Sequence, residues 1–389
     1  MKKYSIWGKV WAVCLLAMIV SSSNPTVYAA NPNESGFATG TTLLWLTLTE
    51  RQAYLDDVQA LGAKWIRIDF SWAEIQPQNR TTYKWHAYDA VVQAAHARHL
   101  KVLATLAYTP DWASDAKCRE ISSQSPALRR ACKPRVAADF ARFARAAVLR
   151  YNLQGVYAWE IWNEPNLTGY WRSIDQSGRV VVSPADYAEM ANLAALQIKH
   201  YDPGAVVIAG SLAPLFEAHQ QIGMRQSDYL TQLLPKLERR LFDGISVHPY
   251  CWPKSPARQA IYNGFYTVDN GPISYNLRKI MDHSGWGNEA IWATEFGAST
   301  RGKIPEGAAA AAKGHPRPDH VSEAKQAQII AQGLQLWRTK QRNGPIFLYS
   351  QSDEWLTHGG NSNQRGYGLR RQDGSKKPAY TAVYSALHH

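Results

Sequence analysis

Two short runs carry carboxylates where chemistry is feasible. Trp159-Glu160-Ile161-Trp162-Asn163-Glu164-Pro165-Asn166 reads as an aromatic and aliphatic strand that ends in an Asn-Glu pair and is stopped by proline. Ile291-Trp292-Ala293-Thr294-Glu295-Phe296-Gly297 repeats the form, a short apolar strand closing on one glutamate. The carboxyl end of a strand is where barrel enzymes keep their chemistry. Two glutamates on separate strands suit glycosidic bond cleavage, one as general acid and base, the other as nucleophile. Glu164 is the expected acid/base, protonating the leaving oxygen and then activating water as a carboxylate. Asn163 is expected to hydrogen-bond a sugar hydroxyl beside the reacting carbon. Consecutive strand residues point to opposite faces, so both reach one site only if the strand breaks there, and Pro165 fits such a break. Glu295 is the expected nucleophile. Cationic and hydroxyl donors should surround it, with Arg67 and Tyr250 as candidates and His248 in the same network.

These residues need a scaffold that brings distant strand ends together. Strand-like runs recur at Thr41–Leu46, Lys64–Phe70, Val102–Tyr108, Val156–Glu164, Ala205–Ser211, Gly244–Tyr250, Ala290–Phe296 and Ile346–Gln351. Helical patterns lie between them, at Ala53–Leu61, His86–Arg98, Val136–Tyr151 and Glu323–Thr339, and a last one starts at Lys377. Ser183-Pro184-Ala185-Asp186 is a helix start, with a capping serine, proline in the first turn and an early acid. Tyr187, Ala191, Ala194 and Ile198 then mark one buried face. Eight such units predict an α/β fold, a single (β/α)8 barrel over residues 31–389. Alternation assigns the faces. Ile66, Ile68, Phe70, Ile245, Val247, Ile346 and Leu348 should face the helices. Arg67, Asp69, Ser246, His248, Tyr250, Tyr349, Gln351 and Asp353 should face the axis.

Residues 1–30 read as a removable export signal: Lys2, Lys3 and Lys9 precede an apolar run from Val10 to Val20, and Val27-Tyr28-Ala29 offers a cleavage site. That run is too short for a membrane span, and nothing later reaches about 18 apolar residues. The expected product is exported, periplasmic or extracellular. Net charge is +12, and losing the leader's lysines leaves a basic protein suited to an acidic polysaccharide. Nucleic acid is disfavoured, because the basic residues are scattered and no recognition motif accompanies them. Cys118 and Cys132 flank one polar loop of an exported chain and are expected to pair, a closure worth about 3 kcal/mol in the chain-entropy model. Cys251 is expected to be a buried, inert thiol. The loop after strand seven holds an alanine run, Ala308–Ala312, and the basic Lys313-Gly314-His315-Pro316-Arg317.

The motifs resemble those of clan A retaining glycoside hydrolases. Trp162-Asn163-Glu164-Pro165, Thr294-Glu295-Phe296-Gly297, His248-Pro249-Tyr250 and Arg67 on strand two carry the resemblance, which spans the mature chain in strand order. Within the clan the chain looks most like family 39 and related bacterial exopolysaccharide hydrolases, with family 5 cellulase-like enzymes as nearest competitor. The resemblance implies retention of anomeric configuration through a covalent glycosyl-enzyme, without cofactor. It departs from many family 39 enzymes in lacking an accessory β-sandwich, and its strand-eight tryptophan, Trp355, comes late. The expected activity is endo-cleavage of an exopolysaccharide. A family 5-like endoglucanase, an exo-acting xylosidase or a transglycosylase are alternatives of the same class. A non-catalytic polysaccharide-binding protein of an export complex is the alternative of another class.

Aromatic residues at the expected loop face, Tyr108, Trp112, Trp162, Tyr170, Trp171, Trp252 and Trp355, could stack on sugar rings. Trp112, Trp171 and Trp252 serve loop packing equally well. Glu160 and Asp69 read as buried structural carboxylates, Glu160 paired with an inward cation. Parity turns Trp159 and Trp292 towards the helices. No cluster shows metal-ligand spacing.

Overall fold

The computed structural model describes residues 31–217, 222–301, 320–340, 342–353 and 366–389. The leader, the basic segment 308–317 and Trp355 lie outside the described residues. Eight parallel strands close into a barrel: β1 (Ser35–Ala38), β2 (Trp65–Ser71), β3 (Lys101–Ala107), β4 (Val156–Ile161), β5 (Val206–Leu212), β6 (Gly244–Val247), β7 (Ala290–Phe296) and β8 (Asn343–Leu348). A helix follows each in sequence: α1 (Leu48–Ala60), α2 (His86–His96), α3 (Ala137–Tyr151), α4 (Pro184–Tyr201), α5 (Gln226–Leu233), α6 (Leu277–His283), α7 (Glu323–Arg338) and α8 (Pro378–His388). The architecture is a (β/α)8 barrel. Side-chain caps start several helices where the sequence offers them. Thr47 and Glu50 form a capping box at α1, Ser183 accepts from the Asp186 amide at α4, and Ser322 caps α7. Each such cap is worth ~1 kcal/mol.

Strand one departs from expectation. It is Ser35–Ala38, whereas Thr42–Trp45, inside the run Thr41–Leu46, forms a helical turn. The true strand has no alternation to read. Its Gly36 is needed for contact, since a Cβ there would lie 2.7 Å from the Trp65 carbonyl oxygen. β4 and β6 are shorter than expected, so Glu164 and Tyr250 lie just past their ends.

The barrel interior is layered. An apolar plug of Trp65, Leu103, Ala158, Ile208, Trp292 and Phe347 closes one end. Above it, towards the strands' carboxyl ends, comes a buried polar layer of Arg67, Thr105, Glu160 and Ser246. Outside, Ile66, Ile68, Phe70, Trp159, Ile245, Val247, Ile346 and Leu348 belong to the larger core cluster. Trp292 is a correction: it points into the barrel, edge-on to Trp65 at 5.6 Å and stacked with Phe347. The cause is a register shift, Ala293 pairing with Ile346 but Phe296 with Leu348. One extra residue in β7 resets the alternation, so Trp292 and Glu295 both face inward. Simple parity puts them on opposite faces. The partner side of Phe296 is the outer core, where a Cβ on Gly333 of α7 would lie 2.2 Å from its ring.

Candidate active site

The chain breaks abruptly after β4. Trp162 takes φ 71° and Glu164 φ 48°, a left-handed conformation that costs non-glycine residues ~1–3 kcal/mol each. Neighbouring elements hold it there. The Trp162 amide donates to the Leu106 carbonyl and its indole to the Tyr170 carbonyl. The Glu164 amide reaches the Ser211 carbonyl and hydroxyl. Asn166 donates to the carbonyls of Ala213 and Met224 and accepts from the Ala213 amide. Tyr187 of α4 donates to the Ile161 carbonyl at 2.7 Å and accepts from the Gly210 amide. Asn163 and Glu164 consequently line the same pocket.

Arg67, 1 % exposed, organises the floor. Its Nε donates to Glu160 Oε2 at 2.6 Å, Nη2 to Asn163 Oδ1 at 2.7 Å and Nη1 to Glu295 Oε1 at 2.9 Å. Burial works against its charge, but Glu160, Glu295 and Asp69 outweigh burial and raise its pKa. Glu160 is fully buried and also accepts from the Thr105 hydroxyl. Burial pushes its carboxyl up, yet Arg67, then Ser246, His248 and Thr105, bring it below the ordinary value. It is a buried carboxylate paired with an inward cation.

Glu295 accepts a second bond from the Tyr250 hydroxyl at 2.9 Å. Burial, then the Glu295 charge, hold that phenol well above its ordinary pKa, so it stays a donor. His248 Nδ1 lies 2.8 Å from Glu164 Oε1 and 3.5 Å from Glu295 Oε2. Burial lowers the imidazole's pKa, but Glu295 and then Glu164 more than compensate and leave it raised. Asp69 sits 3.8 Å from Arg67 and accepts from Tyr108 at 3.4 Å. Burial, only partly offset by Arg67, moves its pKa up to about 6.

The pocket above these groups measures about 320 Å³ and is walled by Tyr108, Tyr170, Tyr250, Tyr349 and Tyr367. A larger cavity of about 470 Å³ adjoins it and shares Gly40, Asp69 and Tyr349. Two carboxylates, one tied to a histidine and the other to an arginine and a tyrosine, are equipped for proton transfer and nucleophilic attack.

Residues 24–334 match the family model of the cellulases, glycosyl hydrolase family 5. The chain belongs to that family. It is a clan A glycoside hydrolase, and its fold is also that of family 39. A family 39 glycoside hydrolase from the gut symbiont Bacteroides cellulosilyticus WH2 matches with TM-score 0.61 and 19% identity, over 92% of this chain and 64% of that one. A monomeric beta-xylosidase from Caulobacter crescentus CB15 matches with TM-score 0.63 and 20% identity, over 90% and 67%. GH5_18 from Streptomyces cattleya, solved with GlcNAc, matches with TM-score 0.61 and 17% identity, over 92% and 80%. This hydrolase thus spans about two thirds of the length of the first family 39 structures it matches. No curated protein sequence matches it.

Other expected contacts of the hydrolase fall outside the pocket. Trp171 is wholly buried between Trp162 and Tyr187 and presents no face to a sugar. Trp112 donates to the Gln76 carbonyl, packs edge-on against Trp72 and lines neither cavity. Trp252 lies edge-on to Tyr367 at 6.3 Å and does not itself line the pocket. Gln351 and Asp353 do not face the axis. Gln351 donates to Asp57 of α1, and Asp353 accepts from Lys377 at 2.8 Å. The chain leaves barrel geometry after Leu348, so strand parity no longer applies. Tyr349, read as inward but not as a site residue, and Tyr367, which had no sequence signal, complete the wall.

Cys118 and Cys132 form a disulfide across the loop after β3. Cys251 is a free, buried thiol, its pKa pushed up to about 12 by burial. Among the described residues no cluster is arranged to hold a metal ion, and no helix is long and apolar enough to cross a membrane.

Proposed function

We propose that this glycoside hydrolase cleaves a polysaccharide by double displacement, with Glu295 as nucleophile and Glu164 as acid/base. The bridging position of His248 carries the reading. Its distances of 2.8 and 3.5 Å to the two carboxylates keep their facing oxygens within about 6.3 Å of each other, which supports the closely spaced carboxyl pair that retaining enzymes use. In the first step Glu295 attacks the anomeric carbon while the Glu164 proton passes to the leaving oxygen. In the second, Glu164 takes a proton from water, which displaces Glu295 and returns the sugar with its original configuration. Arg67 and Tyr250 hold Glu295 in line. Asn163, its oxygen committed to Arg67 and Ser211, has its amide NH2 to offer a sugar hydroxyl beside the reaction centre.

The preferred mode is endo-cleavage of an exopolysaccharide by an exported enzyme. The adjoining cavity supports it, because a chain of sugars can continue beyond the pocket. Export rests on the charged and apolar leader. The test is product analysis with a panel of polysaccharides, reading anomeric configuration by NMR and using Glu295→Gln as control. Oligosaccharides of retained configuration, absent from the control, are expected. Inverted products would refute double displacement. Release of monosaccharides alone would favour the exo-acting alternative, which the xylosidase named among the similar structures also fits.

A further inference from the structure

The larger cavity lies across the barrel from Glu164. Its walls come from the ends of β1, β2 and β8 and from the first loop and helix, whereas Glu164 follows β4. If Glu164 protonates the leaving oxygen, a sugar on the opposite side stays with the cleaved residue. The cavity is therefore a glycone-side chamber, and at about 470 Å³ it lies within the ~300–1,000 Å³ typical of small-ligand clefts. Trp45, 59 % exposed, stands at its wall, where an indole suits the apolar face of a sugar ring.

Among the described residues that line the chamber, the charged side chains are all acidic. Asp69, nine-tenths buried, lines both chamber and pocket, and its Oδ1 has no hydrogen-bond partner. Its cationic neighbour, Arg67, stands 3.8 Å away and is already bonded to Glu160 and Glu295. One guanidinium thus serves three carboxylates, leaving the cluster negative. Glu50 adds a second carboxylate at the wall, with one oxygen taken by Thr47. Asp353 is committed to two cations outside the lining, Lys377 at 2.8 Å and Arg301 at 3.9 Å. Among the described residues lining the chamber there is no lysine or arginine.

We infer that this chamber binds a glycone-side sugar bearing a free amine and rejects a uronate there. A sugar ammonium would gain charge-assisted hydrogen bonds from Asp69 and Glu50. A sugar carboxylate would meet like charges in a partly dehydrated space. The chain's overall basicity, which by itself suggests acidic glycans, does not extend to the described residues of this wall. The inference rests on the proposed role of Glu164 for its sense of direction.

The test is calorimetric titration of Glu164→Gln protein with gluco- and galacto-configured hexasaccharides, each in free-amine, N-acetyl, neutral and uronate forms. Free-amine forms should bind about tenfold tighter than neutral ones, with uronates weakest. Combining Asp69→Asn with Glu50→Gln should abolish that preference, while Trp45→Ala should weaken all forms alike. Uronate binding as tight as amine, a preference that survives loss of both carboxylates, or binding of no form would overturn the inference. Retained-configuration cleavage by wild-type protein without amine preference would sink the chamber alone. Amine-selective binding by a protein that cleaves no polymer would sink the catalytic reading alone.

Discussion

Replacing Arg67 by lysine tests the central feature of the site. Three different nitrogens of Arg67 reach Glu160, Asn163 and Glu295 at 2.6, 2.7 and 2.9 Å. A lysine ammonium is one compact donor group and cannot occupy those three positions. The acceptor with most to lose is Glu160, because at 0 % exposure it cannot recover water. Breaking one side of a buried ion pair costs about 3–5 kcal/mol, and that is the expected destabilisation of Arg67→Lys. Glu160→Gln removes the buried charge that lysine would strand. The double variant should therefore lose about 2 kcal/mol less than the sum of the singles, within the range for residues in direct contact. Urea denaturation of the four proteins at pH 7 measures this cycle, with a constant m-value as the check that the unfolded states are comparable. An Arg67→Lys loss below about 1 kcal/mol, or single effects additive within ~0.5 kcal/mol, would refute the claim that Glu160 is held ionised by Arg67.

Asp69 predicts a pH dependence of stability. Its pKa rises from 3.8 unfolded to about 6 folded, chiefly through burial, so the folded state holds its proton more tightly. This contribution is fully present below the unfolded pKa and is lost as pH rises through about 6. It amounts to no more than about 3 kcal/mol, at 1.36 kcal/mol per pKa unit. Asp69→Asn should gain on wild type between pH 4 and 6 in urea denaturation and hold a constant gap above. A difference independent of pH would contradict it. Trp171→Ala should cost about 3–5 kcal/mol as a buried-aromatic deletion, while the folded fraction keeps wild-type oligosaccharide affinity. A selective loss of affinity would mean that the indole meets sugar after all.

Much of this molecule can be read from local order alone. A strand with apolar residues on one face and Arg67 and Asp69 on the other declares its orientation through the two-residue repeat. Ser183-Pro184, followed by Tyr187, Ala191, Ala194 and Ile198, declares a helix start and its buried side. Asn163-Glu164-Pro165 and Thr294-Glu295 declare carboxylates at strand ends, because each motif is contiguous. What remained hidden depends on partners distant in the chain. The extra residue in β7 exists only by pairing with β8, and it alone places Trp292 and Glu295 on one side. Trp171 looks like any loop tryptophan until Trp162 and Tyr187 enclose it. β1 is a strand because two neighbours pair with it, its own four residues carrying no pattern. Arg67's choice of partners and the sign of the chamber wall depend on which strands become neighbours when the barrel closes. Periodicity along a chain specifies which face a side chain takes, whereas register and closure decide what stands opposite it.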